Sequence, residues 1–217
     1  MATKTSFGTL ALYNLFSALS WAYVLANVAL VYPRIGQPRF YAATRGLVTV
    51  VQCGMLIEVF NAATGIVKTP VSTTVAQVLS RVLVVVCIFR YIPEAPNASD
   101  WPYITLLLAW SITEIVRYSY YFCNLVRSAG TPKWLTILRY NLFWVLYPLG
   151  VMSELLIIYS ALPHAEARYG AWARLALVAA MLVYIPGFPM LYLHVIAQRR
   201  KVMKALRSTA AGAKKTT

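Results

Sequence analysis

Two side chains that can exchange protons stand seven residues apart in an otherwise apolar stretch of this sequence. They are Tyr147 and Glu154, and the apolar stretch covers residues 134–161. Seven residues make nearly two helical turns, so the hydroxyl and the carboxyl share one helix face, about 10 Å apart along the axis. Helical side chains lean toward the N-terminus, which points the carboxyl back toward the tyrosine. The two side chains therefore form a candidate functional site on one face of a helix.

The stretch is also long enough to cross a lipid bilayer, which takes about 20 apolar residues in a helix. It nevertheless contains Arg139, Asn141 and Glu154. An ionised group at the centre of a bilayer costs about 2.5–3.5 kcal/mol on insertion scales, so such a group indicates a functional site by default. Tyr147 and Glu154 are therefore the first candidates for catalytic residues.

Other ionisable residues lie in the remaining apolar stretches, namely Glu58, Arg81, Glu114 and Arg117. The last two are three residues apart, a spacing that allows a direct pair on one helix. One interpretation is that Arg81, Glu114, Arg117 and Asn141 support the candidate pair. The other is that the charged residues, including Arg139, pair with one another and fix the register of the helices.

Composition indicates a membrane protein. Of the 217 residues, 60% are hydrophobic and only 12% are charged, against about 25% charged in soluble domains. The net charge of +14 would suggest nucleic acid in a soluble protein. Here the basic residues concentrate in short loops and in the tail, so they predict membrane orientation and no nucleic-acid partner.

The apolar stretches predict an all-α, polytopic bundle of about six transmembrane helices in the lipid bilayer. The expected spans are 10–32, 41–67, 71–92, 103–126, 134–161 and 171–195, with Pro163 among the residues that separate them. We expect one transmembrane domain over 1–198 and a basic cytosolic tail over 199–217. No glycine-rich phosphate loop, zinc motif or nucleophile elbow is present in the sequence, so neither a metal nor a cofactor is expected.

An even number of spans puts both termini on one side of the membrane. That side carries Lys4, Lys68, Arg127, Lys133 and the basic tail, so the positive-inside rule predicts that both termini are cytosolic. The final residues, Lys214-Lys215-Thr216-Thr217, match a dilysine signal for retrieval to the endoplasmic reticulum. The alternative is that two lysines simply belong to a solvated basic tail.

Several runs of the sequence resemble the very-long-chain (3R)-3-hydroxyacyl-CoA dehydratase family, also called protein-tyrosine-phosphatase-like membrane proteins, and most closely its fungal member. The runs are YNLF at 13–16 with Trp21, VQCG at 51–54 with Glu58, TTVAQ at 73–77 with Arg81, LAWSITEIVRY at 108–118, RYNLFW at 139–144 with Tyr147-Pro148 and Glu154, and YIPGFP at 184–189. The resemblance covers nearly the whole chain.

The resemblance implies an enzyme of fatty-acid elongation in the endoplasmic reticulum. Such an enzyme removes water from a long-chain 3-hydroxyacyl-CoA to give the trans-2-enoyl-CoA, needs no cofactor, and works beside other elongation enzymes. Its catalytic tyrosine and glutamate fall on Tyr147 and Glu154. The older family name implies a phosphatase, but Cys53 lacks an arginine six residues later, where Val59 stands.

The roles within the pair remain open at this point. Glu154 can act as the base and Tyr147 as the acid at the leaving hydroxyl, or the roles can be reversed, with Glu154 orienting the tyrosine. Arg81, Arg117 and Asn141 are candidates to orient the pair or to stabilise the enolate. The rival interpretation is a small transporter or a scaffold for other elongation enzymes, because intramembrane Glu–Arg pairs also occur in transporters.

Overall fold

The computed structural model describes residues 4–67, 69–128 and 130–213. Within these residues the chain is helical and has no strand, which confirms the all-α prediction. The α-helices, in chain order, are α1 (Lys4–Leu30), α2 (Tyr32–Ile35), α3 (Arg39–Cys53), α4 (Leu56–Ala63), α5 (Val71–Val82), α6 (Trp101–Val126), α7 (Lys133–Arg139), α8 (Phe143–Tyr169) and α9 (Ala171–Ala213). A π-helix, Leu83–Ile88, continues α5, and a 3₁₀ turn, Pro96–Ser99, precedes α6.

Five stretches of the described residues are long and apolar enough to cross a membrane, as expected of a multi-pass membrane protein. They are Gly8–Ile35, Arg39–Ala63, Val71–Ile88, Phe143–Tyr169 and Ala171–Ser208. The remaining expected span corresponds to α6, which has 26 residues but is not among these five. Its polar residues, Glu114 and Arg117 among them, lower its mean hydropathy.

The helix α6 forms the centre of the bundle, with α1 on one side and α8 on another. Small side chains let α6 and α8 approach closely, since a Cβ added at Gly150 would lie 3.7 Å from the Ala109 Cβ atom. The hydroxyls of Thr105 and Ser153 share a hydrogen bond of 2.8 Å across the same interface. This contact fixes the face of α8 that carries the candidate pair.

The predicted fifth span is wrong at both ends. The helix breaks between α7 and α8, where the Asn141 side-chain amide donates 2.7 Å to the carbonyl of Ile137 and so satisfies the end of α7. At the other end, α8 continues through Pro163 to Tyr169. A proline removes one helical hydrogen bond, whereas Gly170 ends the helix because its φ of 88° is a conformation that glycine adopts readily.

The last helix extends beyond its expected span. The helix α9 continues without interruption through residue 198, the expected start of the tail, to Ala213. Its outer face is apolar and exposed, with Ile185 and Leu182 on it. Lys68 and the sequence Lys214-Lys215-Thr216-Thr217 lie outside the described residues.

Candidate active site

A cavity of about 230 Å³ lies between α5, α6, α8 and α9, with Glu58 of α4 also on its wall. Tyr147 and Glu154 both line it, so the helix-face argument correctly placed them on one side of α8. Arg81, Glu114 and Arg117 line the same cavity, but Asn141 does not. The structure thus brings together five of the six candidate site residues, all except Asn141.

Two neutral donors from different helices hold the Glu154 carboxylate. The Trp110 indole Nε1 of α6 donates 3.0 Å to one oxygen, and the Tyr184 hydroxyl of α9 donates 2.7 Å to the other. Glu154 is only 5% exposed and belongs to none of the ion pairs among the described residues. An ionised carboxylate has about four acceptor positions, so two remain for a substrate proton.

The sequence analysis did not identify Trp110 or Tyr184 as site residues. Both lie in runs that carried the family resemblance, LAWSITEIVRY and YIPGFP. That resemblance was the only available signal, because aromatic residues in apolar helices usually pack or lie at membrane interfaces. Their role as donors depends on how α6 and α9 are rotated against α8.

The ring of Tyr147 is fixed by stacking while its hydroxyl stays free. The ring stacks on Phe188 with centroids 5.2 Å apart and planes 12° apart, and on Tyr192 with centroids 5.9 Å apart and planes 19° apart. Among the described residues its hydroxyl has no hydrogen-bond partner, although the residue lines the cavity. This phenol is therefore positioned and available to a bound molecule.

Two arginines and two glutamates on the wall of the same cavity neutralise one another. Glu114 pairs with Arg81 of α5 and accepts 2.6 Å from the Arg117 Nε. The two terminal nitrogens of Arg117 form a fork to Glu58 of α4, at 2.7 and 2.6 Å. The pairing that the alternative interpretation expected is present among these four residues.

Arg139 and Asn141 lie elsewhere. The Asn141 side-chain oxygen accepts 2.9 Å from the Nε of Arg199, which ties the start of α8 to α9. Arg139 donates 2.8 Å to the Tyr121 hydroxyl and takes part in none of the ion pairs among the described residues. The hypothesis that Arg139 pairs with a buried carboxylate is therefore wrong, because α7 places it away from Glu58 and Glu114.

Replacing Glu114 by Gln should destabilise the protein strongly. The change leaves Arg81 without its carboxylate and Arg117 with only one, and breaking a buried pair costs about 3–5 kcal/mol. Glu94→Gln is the matched control, since Glu94 pairs with Arg168 at 3.0 Å but both side chains are about half exposed. An exposed pair contributes about 0–1 kcal/mol. Thermal unfolding in detergent measures both changes, and equal losses would contradict a structural role for the buried network.

The chain is similar to known proteins along most of its length. A family model described as protein tyrosine phosphatase-like protein, PTPLA, matches residues 52–205. A Caenorhabditis elegans protein named very-long-chain (3R)-3-hydroxyacyl-CoA dehydratase hpo-8 is 35% identical, covering 88% of this chain and 92% of its own. A Schizosaccharomyces pombe protein named probable very-long-chain (3R)-3-hydroxyacyl-CoA dehydratase is 37% identical, covering 90% and 92%.

A human protein named very-long-chain (3R)-3-hydroxyacyl-CoA dehydratase 2 is 34% identical, covering 89% of this chain and 80% of its own. No solved structure matches this chain. The family model covers well over half of the sequence, and these relatives align along nearly all of it. The chain therefore belongs to the protein tyrosine phosphatase-like (PTPLA) family.

Proposed function

We propose that this protein is a very-long-chain (3R)-3-hydroxyacyl-CoA dehydratase. It removes water from the 3-hydroxyacyl-CoA to give the trans-2-enoyl-CoA, the third step of the fatty-acid elongation cycle. The observation that carries the proposal is the pairing in one cavity of an anchored carboxylate, Glu154, with a free phenol, Tyr147. The names of the family's curated relatives support the same reaction.

Glu154 is the base. Its two oxygens accept hydrogen bonds from Trp110 and Tyr184, an arrangement that suits the ionised, acceptor-only form. The carboxylate takes the proton from C2, and the electrons of that C–H bond form the C2=C3 double bond. The anchoring donors come from neutral groups, so the carboxylate keeps more capacity to accept a proton than one neutralised by an arginine.

Tyr147 is the acid. A phenol keeps its proton at neutral pH, and this one has no competing acceptor among the described residues. As the C3–O bond breaks, the hydroxyl takes the Tyr147 proton and leaves as water. Return of a proton from Glu154 to the tyrosinate, directly or through water, restores both groups. No electrons are transferred, so this chemistry involves no redox cofactor.

Arg81 is the best-placed residue to stabilise negative charge on the thioester oxygen. Its guanidinium pairs with Glu114 and lies 5.2 Å from the centroid of the Trp110 ring, beside the indole that holds Glu154. An arginine has five N–H donors, and few of those of Arg81 are engaged. The nitrogens of Arg117, by contrast, are all directed at Glu58 and Glu114, so Arg117 and Glu114 hold Arg81 in place.

The substrate and surroundings follow from this function. A long-chain 3-hydroxyacyl-CoA enters a multi-pass membrane protein whose α8 and α9 face lipid with their outer surfaces. We propose that the enzyme works in the endoplasmic reticulum beside other elongation enzymes, as the family resemblance implies. The dilysine sequence at 214–217 is compatible with retrieval to that membrane.

Tyr147→Phe and Glu154→Gln should each lower turnover of a 3-hydroxyacyl-CoA by about 100-fold or more, because acid–base groups contribute about 10²–10⁴ in rate. The assay is enoyl-CoA formation by purified protein in detergent, which also separates an enzyme from a transporter. Tyr159→Phe and Glu166→Gln are matched controls on the same helix, since both side chains are exposed. Full activity in both site variants would overturn the assignment.

Tyr184→Phe and Trp110→Phe test the anchoring of Glu154. Each removes one donor to a carboxylate, an interaction of about 1.5–3 kcal/mol, so kcat should fall by about 10-fold or more. KM should change little. Tyr184→Phe should leave the unfolding temperature near the wild-type value because it removes only a hydroxyl, whereas Trp110→Phe also removes buried ring atoms and should lower it. Trp172→Phe, at an exposed position of α9, is the control for the indole. A fall in stability that accounts for the lost activity would argue for packing alone.

The orientation of the chain can be tested with tags fused at each end. We propose that both ends face the cytosol, on the side where Arg127 and Lys133 lie. Antibodies should then reach both tags after permeabilisation of the plasma membrane alone, while a lumenal marker stays protected. A tag stained only after the internal membranes are opened would contradict the proposed orientation.

A further inference from the structure

A second and larger cavity adjoins the first. Its volume is about 510 Å³, and its wall is formed by α1, α4, α5, α6, α7 and α9. The two cavities share wall residues, namely Glu58, Thr74, Gln77, Arg117 and Leu191. The pair of Tyr147 and Glu154 lines only the first of them. The two cavities are therefore neighbours, and the Glu58–Arg117 ion pair lies on the wall between them.

Arg139 gives this second cavity a positive charge without a counter-ion. Its Nη2 donates to the Tyr121 hydroxyl at 2.8 Å, and its guanidinium lies 4.6–5.6 Å from the ring centroids of Tyr120, Tyr121 and Tyr140. Its Nε is buried and has no hydrogen-bond partner. A buried donor that stays unpaired costs about 1–3 kcal/mol, and none of the described residues offsets that cost.

The other intramembrane arginines show what makes Arg139 different. Arg81 lines the first cavity and Arg117 lines both cavities. Each of these arginines is neutralised by a glutamate. Among the described residues, Glu58 is the only carboxylate on the wall of the second cavity, and Arg117 already holds it with two hydrogen bonds. Arg139 therefore remains a positioned cation, held by tyrosine rings and open toward a cavity.

We propose that the second cavity binds the phosphate-bearing part of the CoA group, with Arg139 contacting a phosphate. This inference rests on the proposed dehydratase function and adds the site of the substrate's head group. The guanidinium fork matches the oxygens of a phosphate, and its charge strengthens those hydrogen bonds. The pantetheine arm then extends from the second cavity along the residues that line both cavities, toward Tyr147 and Glu154. The phosphate of a lipid head group has the same chemistry, so the experiment must distinguish it from the phosphates of CoA.

The decisive experiment compares two thioesters of one 3-hydroxyacyl chain. The acyl-CoA carries phosphates, whereas the acyl-pantetheine keeps the thioester and the arm but has none. Arg139→Gln should raise KM for the acyl-CoA by about 10- to 100-fold, the range of one charged hydrogen-bonded contact. It should leave kcat/KM for the acyl-pantetheine unchanged. Arg139→Lys, which keeps the charge but not the fork, should fall between wild type and Arg139→Gln.

Arg127→Gln is the matched control. It removes the same charge on the same side of the membrane, but Arg127 is exposed and lines neither of the two cavities. Its KM for the acyl-CoA should stay at the wild-type value. An equal rise in KM for Arg127→Gln would overturn the proposal, because general attraction of the substrate would then explain the effect of Arg139.

The remaining outcomes of the comparison also test the proposed phosphate contact. Equal losses on both thioesters would assign Arg139 a structural role, and no loss on either would exclude a contact with phosphate. A loss on both thioesters that appears only when phospholipid is added to the micelles would identify a lipid phosphate as the ligand. If the wild type turns over neither thioester, the dehydratase function fails. Equilibrium binding of free CoA, weakened by Arg139→Gln and not by Arg127→Gln, then tests the phosphate site separately.

Discussion

An ionised side chain inside a membrane-spanning bundle is costly unless the protein pairs it or hydrogen-bonds it, and this constraint organises the centre of the molecule. Glu114 of α6 is 2% exposed and is neutralised from two sides, by Arg81 of α5 and by Arg117 one turn along its own helix. Arg117 in turn binds Glu58 of α4. The pairing joins α4, α5 and α6 at one level, and it places Arg81 against the indole that holds Glu154.

The two most buried carboxylates of this region, Glu114 and Glu154, therefore differ in the groups that hold them. Glu114 is fully neutralised by arginines and holds helices together. Glu154 is held only by the neutral donors Trp110 and Tyr184, so its position is fixed while its negative charge stays available. The difference follows from the neighbouring helices, since α6 offers an arginine to one carboxylate and an indole to the other. The carboxylate that pairs with arginines and the carboxylate that is held by neutral donors thus lie on the neighbouring helices α6 and α8.

Sequence patterns predicted the features of the site that depend on a single helix. The shared face of Tyr147 and Glu154 follows from helical periodicity alone, and both line one cavity. The donors Trp110 and Tyr184 come from other helices, whose rotation is set by packing, so no local pattern identifies them. The break at 140–142 was missed because the residues on both sides of it are apolar; at the break, the Asn141 side-chain amide bonds to the carbonyl of Ile137. Residue type alone likewise could not show that Arg139 has no carboxylate within reach.

The small volume of the first cavity has a consequence for the fatty chain. At about 230 Å³ it is smaller than the roughly 300–1,000 Å³ of pockets that enclose a drug-sized ligand. A very long acyl chain attached to the reacting carbons therefore extends past it. One wall is α9, whose opposite face is apolar and exposed at Leu182 and Ile185. For the proposed function, this volume places the far end of the acyl chain outside the cavity, in a bundle whose outer surface is apolar.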